Sequence, residues 1–267
     1  MADPLEGCRA KIERAKEHYR ELSHEFDAFF ELEPYGIASF ENPASGEHLF
    51  FARVSRELPV RWGVIAGEIV HHLRSALDLL AWQLVLDNGG TPKTGGGGTM
   101  FPIVRSPEDF ESFGRGKVQD ASEAVVVSIG NIQPYTRGHE IEEDLLYILH
   151  QLDIRDKHQV LSPAVGVVRS GSVTYTDTSE NAAVSQYAIG GSDLISPLED
   201  GTIILRHPLS ELTPELNVLQ GQVTFDIAFE QGGPAEGKLL LPTPNLLISL
   251  VDQMITWFRP MLQQDFA

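Results

Sequence analysis

The stretch Pro59 to Leu86, PVRWGVIAGEIVHHLRSALDLLAWQLVL, reads as one long buried helix, and the fold is built around it. Pro59 suits a first helical turn, where its missing N–H costs nothing. Trp62, Ile65, Ile69, Leu73, Ala76, Leu77, Leu80 and Leu84 then recur at spacings of three and four, which makes one apolar stripe. The other side is not simply polar. His71, Arg74 and Asp78 share a face, flanked by Val64, Trp82 and Val85. A helix apolar on nearly all sides is buried on nearly all sides, and buried charges need partners. Glu68 and His72 form an i, i+4 pair on a neighbouring line. Either Arg74 and Asp78 satisfy each other across one turn, or they are half of a site completed by another helix.

The candidate for that second helix is His139 to Leu161, HEIEEDLLYILHQLDIRDKHQVL. Ile141, Leu145, Ile148, Leu149 and Leu152 form its stripe, and continuing the spacing lands on Arg155, Asp156 and Gln159. A core-facing stripe that turns polar breaks the local rule, and such breaks mark functional sites or polar networks. The expectation is that Arg74 and Asp78 face Arg155 and Asp156 across a helix interface. Asp153 and Lys157 are spaced for an exposed pair, and His158 borders the stripe.

The remainder of the chain is read outward from these helices. Asp3-Pro4-Leu5-Glu6 starts a helix to about Glu31 whose stripe is Leu5, Cys8, Ile12, Ala15, Tyr19, Leu22, Phe26 and Phe29. Cys8 on that stripe is a packing residue rather than a nucleophile. His18 and His24 belong to a highly charged face expected to be solvated. Ile37–Phe40 and Leu49–Val54 read as short strands around the turn Asn42-Pro43-Ala44-Ser45-Gly46. Asp87-Asn88-Gly89-Gly90 stops the central helix. Gly95 to Gly98 lead into Met100-Phe101-Pro102-Ile103 rather than Gly-Lys-Ser/Thr, so the run is a surface loop and not a P-loop. Ser106 caps a short helix through Phe113, and Ala121–Ile129 is another.

From Ser162 the pattern alternates. Strand candidates are Ala164–Arg169, Ser172–Thr176, Ala183–Ile189, Thr202–Arg206 and Val223–Glu230, with Lys238–Leu241 a further short one. Thr243-Pro244 caps a last helix with the stripe Leu246, Leu247, Leu250, Val251, Met254, Phe258 and Met261. The architecture implied is α+β: a helical bundle of about four long helices with an inserted antiparallel β-meander, in a single domain over 1–267. Its helical parts are 3–33, 59–88, 119–161 and 243–264, and its β-rich part is 162–241.

Composition limits what such a chain does. With 267 residues and 42% hydrophobic content it has material for a sizeable core. Its net charge of -18 disfavours phosphate backbones and anionic membranes, so general nucleic-acid binding is not expected. The single cysteine excludes an intrachain disulfide and fits a reducing, cytoplasmic compartment. The start MADPLEG has neither the basic nor the apolar region of a signal peptide, and no run approaches a membrane span.

Chemical motifs are few. There is no G-x-S-x-G, C-x-x-C or H-E-x-x-H. Glu68, His72, Asp153, Asp156 and His158 offer metal donors. A di-iron bundle repeats Glu-x-x-His, whereas here that spacing occurs once, from Glu68 to His71, so no metal or cofactor is expected.

LRSALDLLAWQLV (Leu73 to Val85) with LDIRDKHQVL (Leu152 to Leu161) resembles an uncharacterised bacterial protein family. The helical part of that family is similar to the HEPN superfamily of helical nucleases and nucleotide-binding proteins. The resemblance covers the helices, about half the chain. It implies a helical module in which Arg74 matches the arginine of the HEPN ribonuclease motif. The histidine of that motif is replaced: five residues beyond Arg74 stands Leu79. Without this general acid/base the resemblance implies a degenerate ribonuclease that binds a nucleotide or a protein partner.

Three readings follow. The first is that HEPN-like binding module, with His71, Arg155 and Trp82 as binding residues. The second is a hydrolytic enzyme using His158 and Asp156, with Arg74 and Asp78, with or without a metal. The third is a structural or homodimeric protein in which Arg74, Asp78, Arg155 and Asp156 form only a buried ion network.

Overall fold

A computed structural model describes residues 3–95, 97–138, 140–177, 185–189, 199–208, 216–230 and 232–262. The protein is α+β. The helices are α1 (Glu6–Phe30), α2 (Val60–Asp87), α3 (Pro107–Asp109), α4 (Arg115–Lys117), α5 (Glu123–Asn131), α6 (Leu145–Asp156) and α7 (Pro242–Phe258). The strands are β1 (Tyr35–Asn42), β2 (Glu47–Val54), β3 (Pro163–Asp177), β4 (Ser185–Ile189), β5 (Ile203–Pro208) and β6 (Leu216–Phe229). No helix among the described residues is long and apolar enough to cross a membrane.

Its contacts divide the chain into two compact units, each discontinuous in sequence. The helical unit holds residues 1–23, 63–161 and 241–267, and the strand-bearing unit holds 24–62 and 162–240. The chain therefore passes from one unit to the other within α1 and again within α2.

In the helical unit, α2 is buried as its sequence requires: Ile65, Ala66, Ile69, Val70, Leu73, Ala76, Leu77, Leu80, Ala81, Leu84 and Val85 are all within the core. The helix ends in a Schellman motif. Gly90 N–H donates to the Val85 carbonyl and Gly89 N–H to that of Leu86, with Gly89 at φ +75°. Its first turns are pressed close to the chain that follows α6. A Cβ on Gly63 would lie 1.8 Å from the Leu161 carbonyl oxygen, and one on Gly67 1.9 Å from Asp156 Oδ1. At Gly63, where the neighbour is backbone, only glycine admits this approach.

α1 buries Leu5, Cys8, Ile12, Ala15, Leu22 and Phe29 from its expected stripe. Asp3 Oδ1 accepts the Leu5 N–H at 3.0 Å at its start. On α7 the seam is turned from the expected one. Ile248 and Ile255 are buried with Leu247, Val251, Met254 and Phe258, whereas Leu246 is exposed.

The start expected at His139 lies outside the described residues, and α6 itself is shorter than its apolar pattern. Ile141–Glu143 is a 3₁₀ turn, and the helix starts at Leu145 because Asp144 caps it. The Asp144 carboxylate accepts the N–H groups of Leu146 and Tyr147 at 2.8 and 3.1 Å, a stronger start signal than periodicity.

In the second unit the strands form two three-stranded antiparallel sheets, ordered β1-β2-β5 and β4-β3-β6. This is not the single inserted meander expected. The β1–β2 hairpin, in register from Tyr35↔Val54 to Asn42↔Glu47, takes its third strand from β5, far along the chain. The strands expected at Ala164–Arg169 and Ser172–Thr176 are one strand, β3. The 183–184 part of the strand expected at Ala183–Ile189 lies outside the described residues. Lys238–Leu241 forms no strand of its own, although the Leu240 N–H reaches the Ile227 carbonyl at 2.8 Å. Beside the sheets, Trp62 is fully buried against Phe29, edge to face at 5.1 Å, and Phe26 at 5.5 Å.

Candidate functional site

The polar face of α2 is organised by a segment that has no partner strand. Phe101 to Val104 runs buried and without regular secondary structure, so its backbone groups need side-chain partners. Arg74 Nη2 donates to the Phe101 carbonyl at 2.7 Å, and Asp78 Oδ1 accepts the Phe101 N–H at 2.9 Å. Arg74 and Asp78 also pair with each other at 3.0 Å. Gln133 does the same for the next residues. Its Nε2 donates to the Pro102 carbonyl at 2.9 Å, and its Oε1 accepts the Val104 N–H at 3.0 Å. Gln133 is fully buried. The sequence reading missed it; the signal was the apolar run Phe101 to Val104, isolated between loops and in need of polar side chains from elsewhere.

The α6 side of the seam also differs from expectation. Asp153, expected at the surface, is buried, while Asp156 is half-buried. The helix buries Ile148, Leu149 and Leu152 of the expected stripe together with Leu146 and Tyr147, and this broad buried face takes in Asp153 rather than Asp156. Asp153 Oδ2 accepts from Lys157 Nζ at 2.6 Å, and Asp153 Oδ1 lies 3.8 Å from Nδ1 of the exposed His71. Asp153 and Lys157 also act electrostatically on Asp78. Asp156 lies against α2 at Gly67. The expected pairing of Arg74 and Asp78 with Arg155 and Asp156 is thus replaced by two sets: Arg74 and Asp78 on the Phe101 backbone, and His71 with Asp153 and Lys157.

Burial pushes the Asp78 carboxyl up, against the opposing pull of Arg74 and the Phe101 N–H. Burial, and then the neighbouring Asp153, pushes the Asp156 carboxyl up. His150, not singled out from the sequence, is pulled down to about 4 by burial and by Arg74. Its Nδ1 is buried without a hydrogen bond, as is Arg74 Nη1. Trp82 and Arg155 are half-buried, and His158 is exposed at the end of the segment.

His18 departs from expectation as well. It is buried, 5% exposed, whereas His24 is exposed as expected. Cys8 is a core residue whose thiol is pushed up to about 11 by burial. Among the described residues no three His, Cys, Asp or Glu side chains are grouped to hold a metal ion. The glycine loop is pinched shut, with the Thr99 N–H donating to the Lys93 carbonyl and the Lys93 N–H to Thr99 Oγ1. A surface recess of about 460 Å³ on α7, lined by Ser249, Asp252, Gln253, Thr256 and Trp257, contains none of the expected site residues.

No family model, curated protein or solved structure matches the chain.

Proposed function

We propose that the helical unit is a HEPN-like module that binds a basic protein partner along the edge where α2 meets α6, and that it does not cleave RNA. This reading takes α1, α2, α6 and α7 as the bundle of such a module. One observation carries it: Arg74 is 6% exposed and its guanidinium is committed to the Phe101 carbonyl and Asp78. An arginine so engaged builds the fold, and Leu79 gives it no histidine to work with. What remains at the edge is Glu68, Asp153 and Asp156 against Lys157 and His71. In a chain of net charge -18, an edge of this sign attracts basic side chains and repels nucleotide phosphates.

Fluorescence anisotropy with a Lys/Arg-rich peptide, a nucleoside triphosphate and a short RNA tests the reading. The peptide should bind, and Glu68→Gln with Asp156→Asn should weaken it by about tenfold. Glu108→Gln with Asp109→Asn, an equal charge change elsewhere on the surface, should leave binding unchanged. Equal weakening by both pairs, or RNA cleavage that disappears in His158→Ala, overturns it.

A hydrolytic reading has one observation in its favour, and it points to His71 instead of His158. A buried carboxylate 3.8 Å from Nδ1 of an exposed ring is placed to orient a general base once the two close to hydrogen-bond distance. Hydrolysis of a generic ester lost in His71→Gln and retained in His158→Ala would support it.

A further inference from the structure

His71 and His72 are adjacent on α2 and meet opposite electrostatic surroundings. His72 turns toward α1. Its ring stacks on His18 at 5.6 Å and 11°, and its Nδ1 lies 3.5 Å from Lys11 Nζ. Lys11, His18, His71 and Arg14 all disfavour a charge on it, in addition to burial, which pulls its proton affinity down most. Lys11 can only donate, so His72 Nδ1 must accept and the ring is neutral in this geometry. His18 beneath it has carboxylates instead: Nδ1 is 3.3 Å from Glu68 Oε2 and 3.6 Å from Glu21 Oε2. His71 turns toward α6, with Asp153 Oδ1 at 3.8 Å from its Nδ1 and Asp156 within electrostatic reach. Lys157 faces the same two carboxylates from α6, and Glu68 faces Asp156 from α2.

We propose that His72 is an acid-responsive latch between α1 and α2: proton uptake at its ring loosens α2 from α1. Charging His72 replaces the acceptor that Lys11 needs with a second donor facing an ammonium group. The latch operates without a partner, so its test is independent of the binding reading.

The test is hydrogen exchange on the full chain at pH 7 and pH 5, expressed as protection factors so that the intrinsic pH dependence drops out. In the wild type, α1 amides between Cys8 and Leu22 should lose protection relative to α6 amides by at least about threefold. Lys11→Met, which removes a surface cation, should shrink that difference, and His72→Gln should abolish it. His24→Gln, on the exposed side of α1, should retain it. Parallel loss of protection in α1 and α6 of the wild type overturns the proposal. So does a wild-type response from Lys11→Met, even if His72→Gln fails to fold.

Discussion

Arg74 and Phe101, 27 residues apart, share a buried hydrogen bond of 2.7 Å that closes α2 onto an extended segment with no strand partner. Replacing Arg74 by Met keeps the packing of the stem but strands the Phe101 carbonyl and leaves Asp78 without its cation. Urea unfolding of Arg74→Met should show a loss of about 2–3 kcal/mol, the scale of a hydrogen bond to a charged group plus an unsatisfied acceptor. Asp78→Asn should cost less, about 1 kcal/mol, because the Asn oxygen still accepts the Phe101 N–H. A negligible change in Arg74→Met would show that water replaces the guanidinium and that Arg74 is available for other work.

The second prediction ranks two aspartates. Asp153→Ala should destabilise the protein by about 1–3 kcal/mol, and Asp156→Ala by less than about 1 kcal/mol. Asp153 is buried and touches Lys157 and His71, while Asp156 is half-buried and is held at some cost. Thermal melts of the two variants decide it, and a larger shift for Asp156→Ala would reverse the assignment.

Spacing alone predicts the opposite ranking, and the reason shows what was legible. The long stripes of α1 and α2 fix their buried faces, because over 25 and 28 residues a phase error would bury charges. α6 has 12 residues and buries a broad face, so its apolar spacing does not decide which of Asp153 and Asp156 lies in the core. The alternation from Ser162 onward identifies strands, and β1 and β2 were visible around their Asn42–Gly46 turn. The pairing of β2 with β5 was not, since register across a long separation depends on both partners at once. The Arg74–Asp78 pair was readable as a pair, but its target lies in a loop that no periodicity marks.

The third prediction concerns acid. His150 ordinarily titrates near 6.5 and is pulled down to about 4 in the folded chain. The folded state keeps it neutral while the unfolded state takes up a proton, so its stabilising effect is full above about pH 6.5 and is lost as the pH falls toward 4. The total is about 2–3 kcal/mol, somewhat below the full linkage value because the ring is not entirely buried. Asp78 and Asp156 act with the opposite sign: their raised affinity favours the folded state as they protonate. The contribution of His150 is therefore read as a difference. Urea midpoints of wild type and His150→Gln at pH 7, 5 and 4 should diverge in pH dependence, with the variant flatter. Parallel curves would mean that His150 is solvated in the folded chain.

The fourth prediction separates two glycines four residues apart on α2. Alanine is the better helix former, so each Gly→Ala change starts with a gain of about 0.5–1 kcal/mol. At Gly63 the new methyl would sit 1.8 Å from the Leu161 carbonyl oxygen, which is backbone and cannot rotate away. The chain after α6 must shift, at a cost of about 1–3 kcal/mol or more, so Gly63→Ala should be clearly destabilising. At Gly67 the clash is with the Asp156 carboxyl, the far end of a side chain that is held at some cost already. Asp156 can turn out to solvent, so Gly67→Ala should be close to neutral or stabilising. In this variant the Asp156 carboxyl should also titrate at lower pH, because the burial that raises it is relieved. NMR titration of the carboxyl and thermal melts of both variants test the pair. If Gly67→Ala proves as damaging as Gly63→Ala, the Asp156 carboxyl is anchored against α2, and the seam between α2 and α6 is closed at that turn.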